Sequence, residues 1–516
     1  MAQGKAFELM GASLVHEQGH CPAEPQRFRL IWLNAGGGAR WQAAEMASPL
    51  ITGLATAASV SFDPALVRKY DGFGPRYTSY PTADRFSDAF GSEQFVNALL
   101  ARSTGAATQP LSLYVHLPFC NTICYYCACN KVTTGDHGRS AKYIRYLARE
   151  VGIVAGLIDA ASPVTQLHWG GGTPTFLSAG EMTSLMRVLH DHFAFSPDAE
   201  CSIEIDPRKV DAATVRLLAE LGFNRMSVGV QDFDAAVQLA VNRIQSEAET
   251  LAVLDAARVN GFRSLNVDLI YGLPRQTLRG FDVTLDKVLR GAPDRIALYS
   301  YAHVPHLFKP QRRISEAELP SPDTKLAILE LAIAKLTDAG FVHIGMDHFA
   351  RPEDELAVAQ REGKLHRNFQ GYSTQADCDL LALGISAIGK VGPTYSQNVR
   401  TLDEYYARLD DNALPCFRGW QLSADDLLRR DVIQELMCGF ATSFQRIEAR
   451  HDIRFHDYFT AELEALKPLA DDGLIELGPD AITITARGRL LVRTVAMVFD
   501  RHLREQRESA RYSRVI

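Results

Sequence analysis

Four cysteines crowd into one short stretch, His116-Leu117-Pro118-Phe119-Cys120-Asn121-Thr122-Ile123-Cys124-Tyr125-Tyr126-Cys127-Ala128-Cys129, spaced C-x3-C-x2-C-x-C. Thiolates are the soft ligands that iron–sulfur clusters need, and a short loop can wrap three of them around one face of an iron–sulfur cube. Three ligands leave one iron open to a small molecule, whereas a cluster that only carries electrons usually has four cysteines. A structural zinc is the alternative, but zinc thiolates normally come as two separated C-x2-C pairs. The remaining cysteines, Cys21, Cys201, Cys378, Cys416 and Cys438, are scattered, which suits buried free thiols rather than a disulfide framework.

Other residues downstream are able to serve a ligand held at such a cluster. Gly170-Gly171-Gly172 follows an apolar run, and without side chains its backbone can approach an amino group closely; a plain tight turn is the alternative. Glu204 and Asp268 offer carboxylates for an ammonium or for ribose hydroxyls, Gln231 a neutral amide and Arg243 a cation for a carboxylate. Each alone would more often be an ordinary structural partner.

The elements that must position them read as strands over 111–118, 166–170, 201–206, 225–231, 264–271 and 295–302, alternating with helices near 140–157, 180–193, 210–221, 247–260 and 281–290. That alternation implies a parallel sheet in an α/β fold: six units, a partial (β/α)6 TIM-like barrel. Ligands gather at the carboxyl ends of such strands, so the loops starting near 119, 171, 206, 231, 272 and 302 are expected to line a site. Residues 61–110 form an N-terminal arm and 111–305 the barrel core. The stretch 306–420 is a less regular barrel extension, with a helix near 322–339 and a Gly-rich run from Gly384 to Gly392. Residues 421–516 suggest a mainly helical, winged-helix-like domain with a small hairpin at 473–485. Residues 1–60, with Gly36-Gly37-Gly38 and an alternative start at Met46, read as an extension without assigned function.

The 516 residues are 47% apolar and 22% charged, with a formal charge of −7 and a pI near 6.1. This acidity argues against nucleic-acid binding, which draws on basic surfaces. No run approaches the ~20 apolar residues of a membrane span, and the uncharged stretch 46–62 lacks the basic start of an export signal. A reducing, cytoplasmic setting is expected.

Cys120, Cys124, Tyr126 and Cys127 match the C-x3-C-x-aromatic-C signature of the radical S-adenosylmethionine (SAM) superfamily. The chain resembles, within it, the oxygen-independent coproporphyrinogen III oxidases. The resemblance also rests on the arm Gly74-Pro75-Arg76-Tyr77-Thr78-Ser79-Tyr80-Pro81-Thr82, on Cys129, on the runs from His168 to Thr175, Glu204 to Arg208, Phe223 to Arg225 and Gly229 to Phe233, on Asn242-Arg243, and on Asp268 to Pro274 and His366 to Tyr372. Tyr126 and Ala128 depart from the Phe and Gly of the family. The resemblance implies a 4Fe–4S cluster on Cys120, Cys124 and Cys127 and two SAM molecules. One would contact Tyr114, Tyr126, Gly171, Glu204 and Ile388; the other would contact Gly172, Thr173, Gln231, Arg243, Asp268 and Ala302. It gives Cys129 a role in activity without iron ligation. It further implies decarboxylation of two propionates of coproporphyrinogen III to vinyl groups, a flavodoxin- or ferredoxin-type electron donor, and a monomer. Arg76, Tyr77, Tyr80, Arg367 and Tyr372 are candidate substrate-side residues. A haem chaperone of the related branch and a haem-degrading radical SAM methyltransferase are the rival readings; Cys129 and the His366–Tyr372 stretch argue against the chaperone.

Overall fold

The apolar run Leu111–Leu117 forms β1, buried along its length except for a half-buried Tyr114, as expected of a strand covered on both faces. After it come β2 (Pro163–Gly171), β3 (Ala194–Ile205), β4 (Arg225–Gln231), β5 (Ser264–Tyr271) and β6 (Arg295–Ser300). Each pairs in parallel with the one before. The intervening helices are α1 (His137–Ala155), α2 (Ala179–His192), α3 (Ala212–Glu220), α4 (Glu247–Val259) and α5 (Leu278–Arg290). Their starts are written locally: Asp136, Ser178, Asp211, Ser246 and Thr277 each cap free backbone amides, and Ser178 and Ser246 form reciprocal capping boxes with Glu181 and Glu249. In this computed structural model, which describes residues 28–33, 40–45, 60–103, 109–376 and 378–505, the six expected strand–helix units are all present.

The stretch 306–420 is more ordered than its sequence suggests. After helix α6 (Pro322–Asp338), β7 (Val342–Gly345) and β8 (His348–Ala350) add antiparallel strands beyond β6. On the other edge, β9 (Asp379–Leu383) pairs in parallel with β1. It is followed by antiparallel β10 (Ile388–Val391), β11 (Thr394–Asn398) and β12 (Cys416–Gln421). The result is a twelve-stranded sheet in the order β7-β8-β6-β5-β4-β3-β2-β1-β9-β10-β11-β12. These strands are short and their turns use Gly384 and Gly392 at positive φ, so no long period-2 pattern marks them.

A buried polar knot joins this extension to the core. Glu150 of α1 accepts hydrogen bonds from Tyr405 Oη (2.6 Å), Gly384 N (2.7 Å) and Asn398 Nδ2 (2.7 Å). Burial nevertheless pushes its pKa up to about 7. Tyr143 donates to His116 O (2.8 Å) and accepts from Ile385 N (3.1 Å), which fixes the end of β1 where the cysteine stretch begins.

The C-terminal region begins with α7 (Ala424–Gly439). It contains the expected hairpin, Ile475–Leu477 with Ala481–Ile484, and a third strand, Ala441–Ser443, that the sequence did not suggest. The arm is clamped to it: Arg493 donates to Pro75 O (2.8 Å) and Gly74 O, Tyr77 Oη donates to Asp500 (3.0 Å), and Tyr80 Oη accepts from Arg501 N (3.1 Å). Tyr77 and Tyr80 are therefore buried anchors of the arm, not substrate-facing residues. Residues Met1–Ile51 form a separate unit whose described part is an antiparallel hairpin, Phe28–Leu33 with Arg40–Glu45. Gly36-Gly37-Gly38, Met46 and Cys21 lie outside the described residues. Among the described residues, no helix is long and apolar enough to cross a membrane.

Candidate functional site

The cysteine stretch leaves β1 and is held at several points. Phe119–Cys120 pairs with Val132–Thr133, closing the loop on itself. Tyr125 N donates to Val241 O (2.9 Å), Asn242 Nδ2 to Ile123 O (2.8 Å) and Gln311 Nε2 to Tyr126 O (3.1 Å). His116 Nε2 lies 3.0 Å from Asn130 O. Two of the three glycines at the end of β2 are needed for this packing: a Cβ on Gly172 would come within 2.7 Å of Phe119 O and Pro118 O, and one on Gly171, at φ +113°, would strike the His116 ring. So the Gly-rich turn serves the approach of the cysteine loop in addition to any ligand.

One cavity opens at the carboxyl ends of the strands. Its lining includes Cys120, Cys124, Tyr126, Cys127, Cys129, Gly171, Gly172, Thr173, Glu204, Gln231, Arg243 and Asp268, all singled out from the sequence. Three others are not in it. Tyr114 lies one layer behind, its ring stacked on His168 at 5.8 Å and its hydroxyl 3.1 Å from His116 Nδ1. Ala302 adjoins Tyr126 through Gln311, whose amide donates to both carbonyls. Ile388 starts β10 and packs with Phe86, Phe369 and Tyr395.

The charges around the thiols are organised. Arg243 Nη1 stands 3.6 Å and Arg208 Nη2 3.9 Å from Cys124 Sγ, and Cys120 Sγ is 3.5 Å from Thr173 Oγ1. Burial pushes the Cys120 thiol up to about 11, so it would ionise only against a strong positive charge such as a metal. The Cys129 thiol hydrogen-bonds to Cys127, lowering the Cys127 pKa and raising its own. Among the described residues, no group of three or more His, Cys, Asp or Glu could hold a single metal ion. Thiols facing a shared hollow suit a multi-iron cluster better than one zinc, whose ligands must close to about 2.3 Å.

Arg243 is more committed than its sequence role implies. It donates to Gly229 O (2.6 Å) and Gln245 Oε1 (3.1 Å) and straddles Asp206 at 3.3 and 3.4 Å. A ligand carboxylate would share it with Asp206. Glu204 keeps 45% of its side chain accessible. Burial raises its pKa, but the hydrogen bond from His168 and the Gly171 amide (3.2 Å) outweigh that and hold it below the usual range. Asp268, held by Ser227 Oγ and Asn266 Nδ2 at 2.8 Å each, is pushed up to about 6, chiefly by burial. Sequence reasoning gave no individual role to Thr175, Asp206 and Arg208, although all three stand in motifs it noted, and it missed Ser227 and Tyr299, which also line the cavity. Thr175 Oγ1 is buried without a partner. Tyr299 had no signal beyond its place in a strand.

The radical SAM superfamily model matches residues 114–288, and the HemN C-terminal domain model matches 422–491. The chain is 49% identical over 457 residues to the oxygen-independent coproporphyrinogen III oxidase of Escherichia coli K12, covering 89% of this chain and 99% of that protein. It is 50% identical over 460 residues to the enzyme of that name from Pseudomonas aeruginosa PAO1, with the same coverage. The solved structure of coproporphyrinogen III oxidase (HemN) from Escherichia coli, described as a radical SAM enzyme, superposes with a TM-score of 0.82 at 48% identity, covering 86% of this chain and all of that one.

Proposed function

The chain belongs to the oxygen-independent coproporphyrinogen III oxidases of the radical SAM superfamily, and from that premise we propose how its residues share the work. It is an oxidoreductase of haem biosynthesis that uses a 4Fe–4S cluster and SAM to convert coproporphyrinogen III to protoporphyrinogen IX. Cys120, Cys124 and Cys127 ligate the cluster, and the observation that carries this is their shared cavity with Arg243 and Arg208 at Cys124 and the carboxylates Glu204 and Asp268 in the same lining. When bound, the cluster would supply the electron for splitting SAM to methionine and a 5′-deoxyadenosyl radical; abstraction of one propionate hydrogen, loss of carbon dioxide and transfer of one electron to an external acceptor would then leave a vinyl group.

The chain's own residues orient and exclude. Glu204, below the usual carboxylate range, stays ionised and receives the ammonium of SAM, with Gly171 beside it; Asp268 receives ribose hydroxyls; Arg243 receives the carboxylate of the second SAM, with Gln231, Gly172, Thr173 and Ala302 around it. Tyr114 and Ile388 act on the first SAM from the layer behind, and Tyr126 beside the cluster. Cys129 keeps its proton and acts on the reaction without ligating iron. The barrel walls keep water and oxygen from the radical. The domain division at 61, 111, 306 and 421, a cytoplasmic location, a monomeric state, a reduced flavodoxin- or ferredoxin-type donor and the absence of a nucleic-acid partner belong to the same reading; the formal charge of −7 supports the last.

The test is anaerobic iron and sulfide analysis followed by mass spectrometry of the product from coproporphyrinogen III, SAM and a reductant. Loss of 46 mass units per converted propionate, about 44 for carbon dioxide plus about 2 for hydrogen, is expected. Stoichiometric haem binding under air with no SAM turnover would point to a chaperone instead.

A further inference from the structure

Beyond Tyr299, which lines the cavity, a second set of side chains converges. Arg76 comes from the arm and its guanidinium lies 5.9 Å from the centre of the Tyr299 ring; its ion-pair partner is Asp347. Arg367 comes from the strand His366–Asn368, lies 4.7 Å over the Tyr372 ring and donates through Nε to Arg76 O at 3.3 Å. Its backbone is pinned by Gln434 of α7 on both sides, at 3.2 and 2.8 Å. Arg367 is only 3% exposed, and its Nη1 has no hydrogen-bond partner. His348, edge-on to Tyr372 at 5.3 Å and to Tyr299 at 6.0 Å, likewise has an unpartnered Nδ1.

Arg76 thus has a carboxylate partner, Asp347, whereas a buried donor of Arg367 is left unmatched. Such a group is costly to bury, the more so when charged, unless something pairs with it. Arg76 keeps 34% of its side chain accessible, while burial and the repulsion of Arg367 lower its pKa. Tyr299 stands where both signs of charge meet: it lines the cavity with Asp268 and Glu204, and the Arg76 guanidinium lies over its ring. A zwitterionic nucleoside with hydroxyls and an ammonium suits the acidic side. An anion suits the basic one.

Building on the proposed function, we infer that Arg76 and Arg367, with His348, form the subsite that grips a substrate propionate the reaction leaves intact. Paired arginines match a carboxylate in geometry and charge, and Tyr299 and Tyr372 offer apolar faces to the macrocycle. The retained propionate is the better occupant than the reacting one. Holding a reacting carboxylate against two cations would stabilise its charged ground state and not the transition state from which neutral carbon dioxide departs, which slows rather than speeds its loss.

The experiment uses the full-length, cluster-loaded chain and reads equilibrium binding of fluorescent porphyrins under anaerobic conditions, with wild type, Arg76→Gln and Arg367→Lys. The probes are coproporphyrin III, its tetramethyl ester, and protoporphyrin IX, which carries only the two retained propionates. Iron content and SAM affinity of each variant establish that the rest of the site is intact. The expected result is a tenfold or larger rise in Kd for both free acids in both variants, with the ester unaffected. Protoporphyrin IX binding equal to wild type in the variants overturns the inference, as does an equal loss for the ester. If Arg367→Lys does not load its cluster, Arg76→Gln, on a partly exposed side chain, decides alone. Arginine-dependent porphyrin binding by a wild-type chain that forms no protoporphyrinogen IX sinks the functional reading and leaves the subsite standing.

Discussion

The two sides of the cavity are built in opposite ways. The side that faces the cysteines is made by consecutive strand ends of one sheet: Gly171 closes β2, Glu204 lies near the end of β3, Gln231 ends β4 and Asp268 is on β5. It carries the carboxylates Glu204 and Asp268, with Arg208 and Arg243 both paired to Asp206, and is fixed by ladder hydrogen bonds. The side beyond Tyr299 is assembled from the arm, the start of β8 and the strand His366–Asn368, with Arg76 and Arg367 meeting across 291 positions of sequence. It carries cations and depends on the clamps between arm and C-terminal region. A sheet delivers a ladder of side chains at one height, whereas Arg76 and Arg367 are brought together by the arm and by the strand His366–Asn368, both outside that sheet.

The sharpest way to break this comparison is at the ligands. Cys120→Ser, Cys124→Ser or Cys127→Ser should each abolish cluster iron and turnover, because a hydroxyl is a harder and poorer iron ligand than a thiolate. Cys129→Ser should keep its iron and lose turnover, since its thiol supports Cys127 by a hydrogen bond instead. Iron content and visible absorption of the four purified variants check this, and iron loss in the Cys129 variant would make it a ligand.

A smaller effect separates the two sides from each other. Glu204→Ala or Asp268→Ala should leave iron content unchanged and weaken SAM binding by about tenfold to a hundredfold, the range for one hydrogen bond to a charged group. Porphyrin binding should change little. The arginine variants argued above should do the reverse. If carboxylate variants weakened porphyrin and SAM alike, the division across Tyr299 would be an artefact of position and not of chemistry.

This division also marks what the sequence discloses. The cysteine spacing, the strand–helix alternation and the residues at strand ends are local patterns, and 111–305 could be read almost element by element. Each of its strands β1–β6 runs to six residues or more, and its helices start at Ser, Thr or Asp caps. The strands β9–β12 escaped because they are short and turn on glycines. Tyr77 and Tyr80 were grouped with Arg76 because they share one motif, yet consecutive residues of an arm face different ways, and only the contacts with Asp500 and Arg501 separate them. Asp347 and His348 had no motif at all. Their place follows from β8 pairing with β6, a long-range event that no local pattern encodes.

The finest test concerns pH and one carboxylate. Asp268 is buried on its strand, and that burial lifts its pKa to about 6 even though Ser227 and Asn266 donate to it. The sign follows: a raised acid is protonated more readily in the fold, so the ionised form that best accepts ribose hydroxyls is full at pH 7.5 and fades as the pH falls through about 6. Roughly a quarter remains ionised at pH 5.5, and an apparent Kd scales inversely with the competent fraction, so SAM should bind about fourfold more weakly at pH 5.5 than at 7.5. Equilibrium SAM binding at the two values checks it, with iron content followed in parallel so that acid loss of the cluster is not mistaken for the effect. Asp268→Asn, which accepts through its amide oxygen at either pH, should be weaker throughout and flat. A flat wild-type profile would mean that Asp268 titrates as an ordinary exposed carboxylate, near 3.9, or that the ribose hydroxyls are held by other groups, and either outcome removes Asp268 from the acidic side of the comparison.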